Sequence, residues 1–278
     1  MLFIVFWLQF QTLNLAQTIP QSGSTDAEFC SKDLEKKKEK RSGDYLIRIS
    51  YANSRMCQHF DIFKNDRTVF HEEGDDNHYF FGSDDRGTYT LGNLTGHGIQ
   101  LVVRRWTGGA HCCTSLLIFD LGNDFRKIAE IDGGNFEPEI ADLDHDGIPE
   151  IRVRDDFLAY RFSDFAHSAI AEVILKYGDG QYSVAPEFMR KPLPSRQILD
   201  ATVASWKRLL QRKKTPNWPP PPLIQALTDL VYAGSKQTAF ALLDRAWPMA
   251  APGRSEFLAS YRVALNESKY YAEFEKKQ

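Results

Sequence analysis

Long apolar runs are missing from this 278-residue chain. The run at the N-terminus, MLFIVFWLQF, is shorter than the roughly 20 residues that a membrane-spanning helix needs. An excess of basic residues is missing as well, since 34 Lys and Arg stand against 37 Asp and Glu and the net charge is −3. Binding to a phosphate backbone requires a basic face. We therefore predict no nucleic-acid partner and no membrane span in the mature chain.

Sequence signatures of common catalytic sites are absent too. The chain has no G-x-S-x-G nucleophile turn, no H-E-x-x-H zinc motif and no glycine-rich phosphate loop. His71 and His78 lie among acidic residues, a combination that can serve general acid–base catalysis. The segment that joins them is rich in Gly, Asp and Asn, which is typical of a hairpin loop.

Cysteine is scarce, with four residues at Cys30, Cys57, Cys112 and Cys113. An even number in an exported protein indicates disulfides, and four cysteines allow three complete pairings. A disulfide between the adjacent Cys112 and Cys113 is possible but strained. We therefore favour disulfides that join Cys30 and Cys57 to this pair. His111 precedes that pair, but adjacent strand residues point to opposite faces and cannot easily share one zinc or copper ion.

The N-terminal run suits the apolar core of a secretory signal, with Ala16 as its last residue. A buried N-terminal strand is the alternative. We expect residues 1–16 to be a signal peptide and the protein to be exported, periplasmic or extracellular, where millimolar calcium suits a weak site. Residues 17–43 are expected to be a polar linker. Within it, Lys32–Arg41 mixes Lys with Glu, which favours a solvated linker or a short exposed helix over a basic docking segment.

The stretch DLDHDGIPE carries the clearest chemical signal. Asp142, Asp144 and Asp146 alternate, Gly147 can take the positive φ of a sharp turn, and Glu150 follows three residues later. Ca²⁺ takes six to eight oxygen ligands, many of them carboxylates. The predicted ligands are the three aspartates, the carbonyl of Ile148, and Glu150 directly or through water. An EF-hand is excluded because its twelfth position needs Glu, and a plain Asp-rich turn is the simpler alternative.

This loop, feeding a strand, resembles the FG-GAP repeat of integrin α-chain propellers and the related VCBS repeats of exported bacterial proteins. A degenerate copy, Asn93–Gly98, lies 49 residues earlier and places Gly98 at the position of Gly147. Asn, Thr and His replace the three aspartates, so we do not expect it to bind calcium. The resemblance covers about residues 88–156. It implies a structural calcium ion and a β domain that presents loops to a protein or glycan partner.

Apolar periodicity divides the rest of the chain into two parts. Short β-prone runs separated by Asn, Asp, Gly and Ser turns continue from Leu46 to Val184, which is typical of an antiparallel meander. We predict an all-β domain over residues 44–190, built from two or three propeller-blade-like sheets. Helical spacing follows over residues 195–275, a predicted helical C-terminal domain. Its last helix is expected to run from about Ser255 to Glu275, with Phe257, Tyr261 and Leu265 as core residues on one face. The prolines at 219–222 predict a stiff connector between two of its helices.

We therefore expect an exported, non-catalytic calcium-binding protein with a β-rich fold followed by a helical region. The alternative is an exported hydrolase whose site lies in the strand-joining loops, with His111 or His71 and nearby acids as participants. A pocket of converging histidines and carboxylates would favour the hydrolase, whereas a flat loop surface would favour binding.

Protein purified from an oxidising compartment should begin near Gln17 and contain at least one disulfide. The apolar N-terminus and the even number of cysteines generate this expectation. Intact-mass spectrometry with and without reduction checks both points. Retention of Met1 together with four free thiols would contradict them.

Overall fold

The computed structural model describes residues 34–52, 58–74, 77–109, 113–212 and 218–277. Its strands form three antiparallel sheets. The first contains β1 Lys36–Ser42, β2 Tyr45–Tyr51, β3 Gln58–Lys64 and β4 Arg67–Gly74, in that order. The second contains β5 His78–Phe81, β6 Leu91–Gly92, β7 Gln100–Trp106, β8 Thr114–Asp120 and β9 Arg126–Gly134; its order is β5-β7-β8-β9, and β6 also pairs with β7. The third contains β10 Glu139–Ala141, β11 Glu150–Asp155, β12 Ala171–Gly178 and β13 Gln181–Val184, in that order.

Helices occupy the C-terminal part of the described chain, apart from a single 3₁₀ turn at Phe165–His167. They are α1 Pro186–Met189, α2 Arg196–Arg212, α3 Pro221–Tyr232, α4 Lys236–Ala246, α5 Arg254–Glu267 and α6 Tyr271–Lys276. The prediction of a β-rich meander followed by a helical region is thus confirmed. None of the described helices is long and apolar enough to cross a membrane.

The second sheet is buried on both faces. Successive strand residues point to opposite faces, and β7 shows the consequence: Leu101 and Val103 join a core with the first sheet, while Val102 joins a core with the third sheet. In β8, Leu117 and Phe119 face the first sheet and Leu116 and Ile118 face the other side. Burial on both faces explains why these two strands read as continuous apolar runs.

The first sheet begins earlier than predicted. The segment expected to be a polar linker contains β1, which pairs with β2 from Lys36 opposite Tyr51 to Ser42 opposite Tyr45. Nearly all of β1 is exposed, so its sequence carries no alternation of apolar and polar residues to reveal a strand. Lysines on an exposed edge strand also discourage edge-to-edge association with other chains.

Two helical predictions were wrong in detail. The prolines at 219–222 do not form a separate connector, because Pro221 and Pro222 open α3, where a missing N–H costs nothing. The last helix, expected to run from Ser255 to Glu275, is broken into α5 and α6 at Ser268–Tyr270. Phe257, Tyr261 and Leu265 are buried, as expected for core residues.

The helices share one hydrophobic core with the third sheet. Ile151, Val153 and Val173 of the sheet belong to the same buried cluster as Trp206 and Leu227 of the helices. The boundary expected between residues 190 and 195 therefore separates secondary-structure types and does not separate two cores.

Asp155 links this sheet to the helices through a buried hydrogen-bond network. Its carboxylate, at the end of β11, accepts hydrogen bonds from the hydroxyls of Tyr232 (2.7 Å) and Ser268. Ser268 lies at the break between α5 and α6, and its Oγ accepts a hydrogen bond from the backbone N–H of Tyr271 at 2.9 Å. Burial raises the pKa of Asp155 despite these donors.

Asp155→Ala should lower the free energy of unfolding by about 1–3 kcal/mol, because two buried hydroxyls lose their acceptor. Asp155→Asn keeps an acceptor and should cost less. Since burial raises the pKa of Asp155, the stability that this group contributes is fully present below the unfolded pKa of about 3.9 and is lost as the pH rises through the folded pKa. The cost of Asp155→Asn should therefore be smaller at neutral pH than near that value.

Urea denaturation of both variants checks these expectations. Lys207→Ala, on the exposed face of α2, is the control and should change stability little. Equal costs for Asp155→Ala and Lys207→Ala would contradict the proposed role of the network.

Candidate metal centre

The DLDHDGIPE loop joins β10 to β11 and brings three aspartates together. One carboxylate oxygen each from Asp142, Asp144 and Asp146 lies within 4.8 Å of the others. Two residues with left-handed backbone curl the loop, His145 at φ 61° and Gly147 at φ 88°. The sequence analysis anticipated the glycine but not the histidine, which is exposed.

The aspartates also hold the loop backbone. The N–H of Gly147 donates to Asp142 Oδ2 at 3.0 Å, that of Asp146 to Asp144 Oδ1 at 3.2 Å, and that of Ile148 to Asp146 Oδ1 at 2.7 Å. Each aspartate therefore uses one oxygen to shape the loop. The other oxygen of each remains available to a cation.

Glu150 begins β11 and is fully buried. Its Oε2 accepts a hydrogen bond from the N–H of Leu143 at 2.9 Å, which closes the loop at its base. Its Oε1 lies 3.0 Å from the ammonium nitrogen of Lys176. A buried carboxylate is costly unless it is paired, so this position needs a cation, whether from a side chain or from solution.

Lys176 is the site residue that the sequence analysis missed. Its Nζ lies 2.7 Å from Asp144 Oδ2 and 3.1 Å from Asp146 Oδ2, in addition to its pairing with Glu150. The hydrogen bond from Lys176 holds the pKa of Asp144 below its usual value, and the same bond raises the pKa of Lys176. No local pattern could have revealed this lysine, because its place depends on the ladder that sets Ile151 opposite Leu175 and hence Glu150 opposite Lys176.

Asp142 is only partly satisfied. Its Oδ1 is shielded from solvent and has no hydrogen-bond partner among the described residues. The cluster thus holds four carboxylates against one ammonium, and this oxygen of Asp142 has no donor within the described part of the chain. Such an all-oxygen, strongly anionic donor set fits a hard divalent cation such as Ca²⁺.

The degenerate loop at Asn93–Gly98 has a related shape without the charge. The N–H of Leu94 donates to Gln100 Oε1 at 2.8 Å, just as the N–H of Leu143 donates to Glu150. Gly96 and Gly98 have left-handed backbones, matching His145 and Gly147. In place of a cation, the amide Nε2 of Gln100 donates to the carbonyl of His97 at 2.7 Å.

No protein-family model, curated protein or solved structure matches this chain. Its function therefore has to be inferred from the geometry of its own residues.

The remaining candidate residues fall in different places. Four of them lie outside the described residues: Cys30, Cys57, His111 and Cys112. Cys113 is described and is not a free thiol. The disulfide pairing stays a prediction. Of the stretch 107–113, residues 107–109 and Cys113 are described, and they lie between β7 and β8 and not within a strand. The hairpin loop expected at His71–His78 is wrong, because His71–Gly74 continues β4 of the first sheet and His78 begins β5 of the second sheet.

Lys176→Met should have opposite effects with and without calcium. Without calcium, Asp144, Asp146 and Glu150 lose their counter-ion, so the melting temperature should fall. With calcium, no lysine ammonium has to leave the carboxylates before the ion binds. The calcium affinity should therefore rise by roughly tenfold, equivalent to about 1.4 kcal/mol.

Calorimetric titration and thermal melting in EDTA measure the two effects. Lys127→Met is the control, because Lys127 forms an exposed ion pair with Glu130 in the second sheet. An unchanged calcium affinity in Lys176→Met would show that the ammonium and the ion do not compete.

Proposed function

We propose that this chain is an exported, non-catalytic calcium-binding protein of the FG-GAP/VCBS type, whose β domain mediates interaction with a protein or glycan. The observation that supports this proposal is the convergence of four carboxylates, one of them fully buried and another with a shielded oxygen that no described residue donates to. A plain turn has no need of either feature.

The protein offers five oxygens to the ion, and water would complete the six to eight ligands of Ca²⁺. Asp142 would contribute Oδ1, Asp144 and Asp146 their Oδ2 atoms, and Glu150 its Oε1, since the other oxygens hold the loop backbone. The carbonyl of Ile148 remains the fifth proposed ligand. A bound calcium ion supplies two positive charges where like charges otherwise repel.

Lys176 acts as an internal counter-cation when calcium is scarce. Its side chain is 28% exposed and lies with Nζ 5.2 Å from the centre of the Phe188 ring. A long, flexible side chain at the surface can leave the carboxylates and keep its charge in water. The loop then stays folded at low calcium and binds calcium by exchange.

The two related loops lie side by side. A Cβ on Gly96 would come within 3.0 Å of Ile148 Cδ1, and the hydroxyl of Tyr182 donates to the carbonyl of Leu94 at 3.4 Å. Calcium in one loop would therefore stiffen a surface formed by the second and third sheets together. We propose this paired-loop surface as the place where the partner binds.

Calcium should raise the melting temperature of the wild type, with a gain of about 2.7 kcal/mol at a hundredfold excess over Kd. Asp144→Ala removes a central ligand and should abolish most of the rise. Glu150→Gln keeps an acceptor for Leu143, as Gln100 does for Leu94, but removes the charge; it should keep the fold and weaken calcium binding.

Asn93→Ala in the degenerate loop is the matched control and should leave the calcium response nearly unchanged. Thermal melting in EDTA and in millimolar calcium provides the readout. The proposal fails if the wild type melts at the same temperature in both solutions.

A further inference from the structure

The outer face of the first sheet carries a second group of metal-binding side chains. His59 and Asp61 lie on β3, and His71 and Glu73 lie on β4. The ladder sets His59 opposite Glu73 and Asp61 opposite His71. Alternate residues of a strand share one face, so the four side chains form a compact square on the sheet.

Three donor atoms of this group converge. Glu73 Oε2 lies 3.3 Å from His59 Nε2 and 3.5 Å from His71 Nε2, and all three atoms lie within 4.8 Å of one another. A tetrahedral zinc ion with bonds of about 2.0–2.1 Å separates its ligand atoms by about 3.3 Å. The two distances from Glu73 Oε2 match that spacing.

The Nε2 atoms of His59 and His71 are placed to bind a metal ion. His59 Nε2 is shielded from solvent and has no hydrogen-bond partner among the described residues, although Glu73 is near. His71 Nδ1 lies 2.7 Å from Asp61 Oδ1. A carboxylate on one ring nitrogen fixes the tautomer and leaves the lone pair of the other nitrogen for a metal, an arrangement common at zinc sites.

We infer that His59, His71 and Glu73 bind a divalent transition-metal ion of the zinc type, with Asp61 orienting His71. Imidazole nitrogen suits zinc, copper and nickel, whereas calcium prefers oxygen alone. The two centres therefore select different ions, and this inference does not depend on the calcium loop.

The site keeps one coordination position for another ligand. Three protein ligands with a fourth position taken by water or an external group distinguish an open zinc site from a closed structural one. His71 and Glu73 are 46% and 58% exposed, and β4 is at the edge of its sheet. An external carboxylate, imidazole or water molecule can reach an ion held there.

Titration with ZnCl₂ tests the inference on the full chain without an added histidine tag and with excess calcium present to occupy the loop. The wild type should bind one zinc ion at this site. His59→Gln, His71→Gln and Glu73→Gln should each abolish binding at the site, and Asp61→Asn should weaken it by roughly 10- to 100-fold.

His167→Gln is the matched control. His167 Nδ1 lies 2.7 Å from Asp164 Oδ1, so it has the same carboxylate partner as His71, but it belongs to neither metal-binding cluster among the described residues. This variant should bind zinc like the wild type. Equal binding by the wild type and by the His59→Gln/His71→Gln double variant would mean that these residues form cross-strand ion pairs only.

A measurement on the wild type alone covers the case in which a variant does not fold. Zinc should shift the NMR signals of the His59 and His71 rings and leave that of His167 in place. Co²⁺ in place of zinc should give the visible absorption of a tetrahedral ion. Unshifted His59 and His71 signals at saturating zinc would overturn the inference.

Discussion

The burial of the second sheet on both faces is the constraint on which the remaining architecture depends. Because β7 and β8 carry apolar side chains on both faces, one face must be covered by the first sheet and the other by the third. That stacking brings the loops before β7 and β11 to the same edge. The contact between Gly96 and Ile148 follows from it, and so does the proposed paired-loop surface.

Strand β11 carries a buried carboxylate near each end, and each is satisfied by a different part of the chain. Glu150 is held by the N–H of Leu143 and the ammonium of Lys176, while Asp155 is held by hydroxyls of Tyr232 and Ser268. The strand that follows the candidate metal loop thus also anchors the helices. The loop is therefore directly joined to β11, whose apolar side chains belong to the core shared by the third sheet and the helices.

The two candidate metal centres differ in donor chemistry and in the way each is built. The loop offers only oxygens, from residues close in sequence, and its backbone is shaped by the same aspartates. The outer-face cluster draws two nitrogens and one oxygen from neighbouring strands, and its spacing is set by the ladder. Hard and borderline ions are expected to divide between them on this basis.

The sequence by itself determined the features that depend on local pattern. Short β-prone runs between turn residues placed most strands, helical spacing placed the C-terminal helices, and the DLDHDG motif located a loop in which three carboxylates converge. Strand β1 was missed because an exposed edge has no apolar alternation. The break at Ser268, whose hydroxyl donates to Asp155 of a distant strand, was missed as well. Only the tertiary structure decided which residues meet across the sheets: Lys176 on the loop carboxylates, and His59 with His71 and Glu73. The physical reason is that strand register is set by packing between distant segments, whereas turns and amphipathic faces are set by neighbours along the chain.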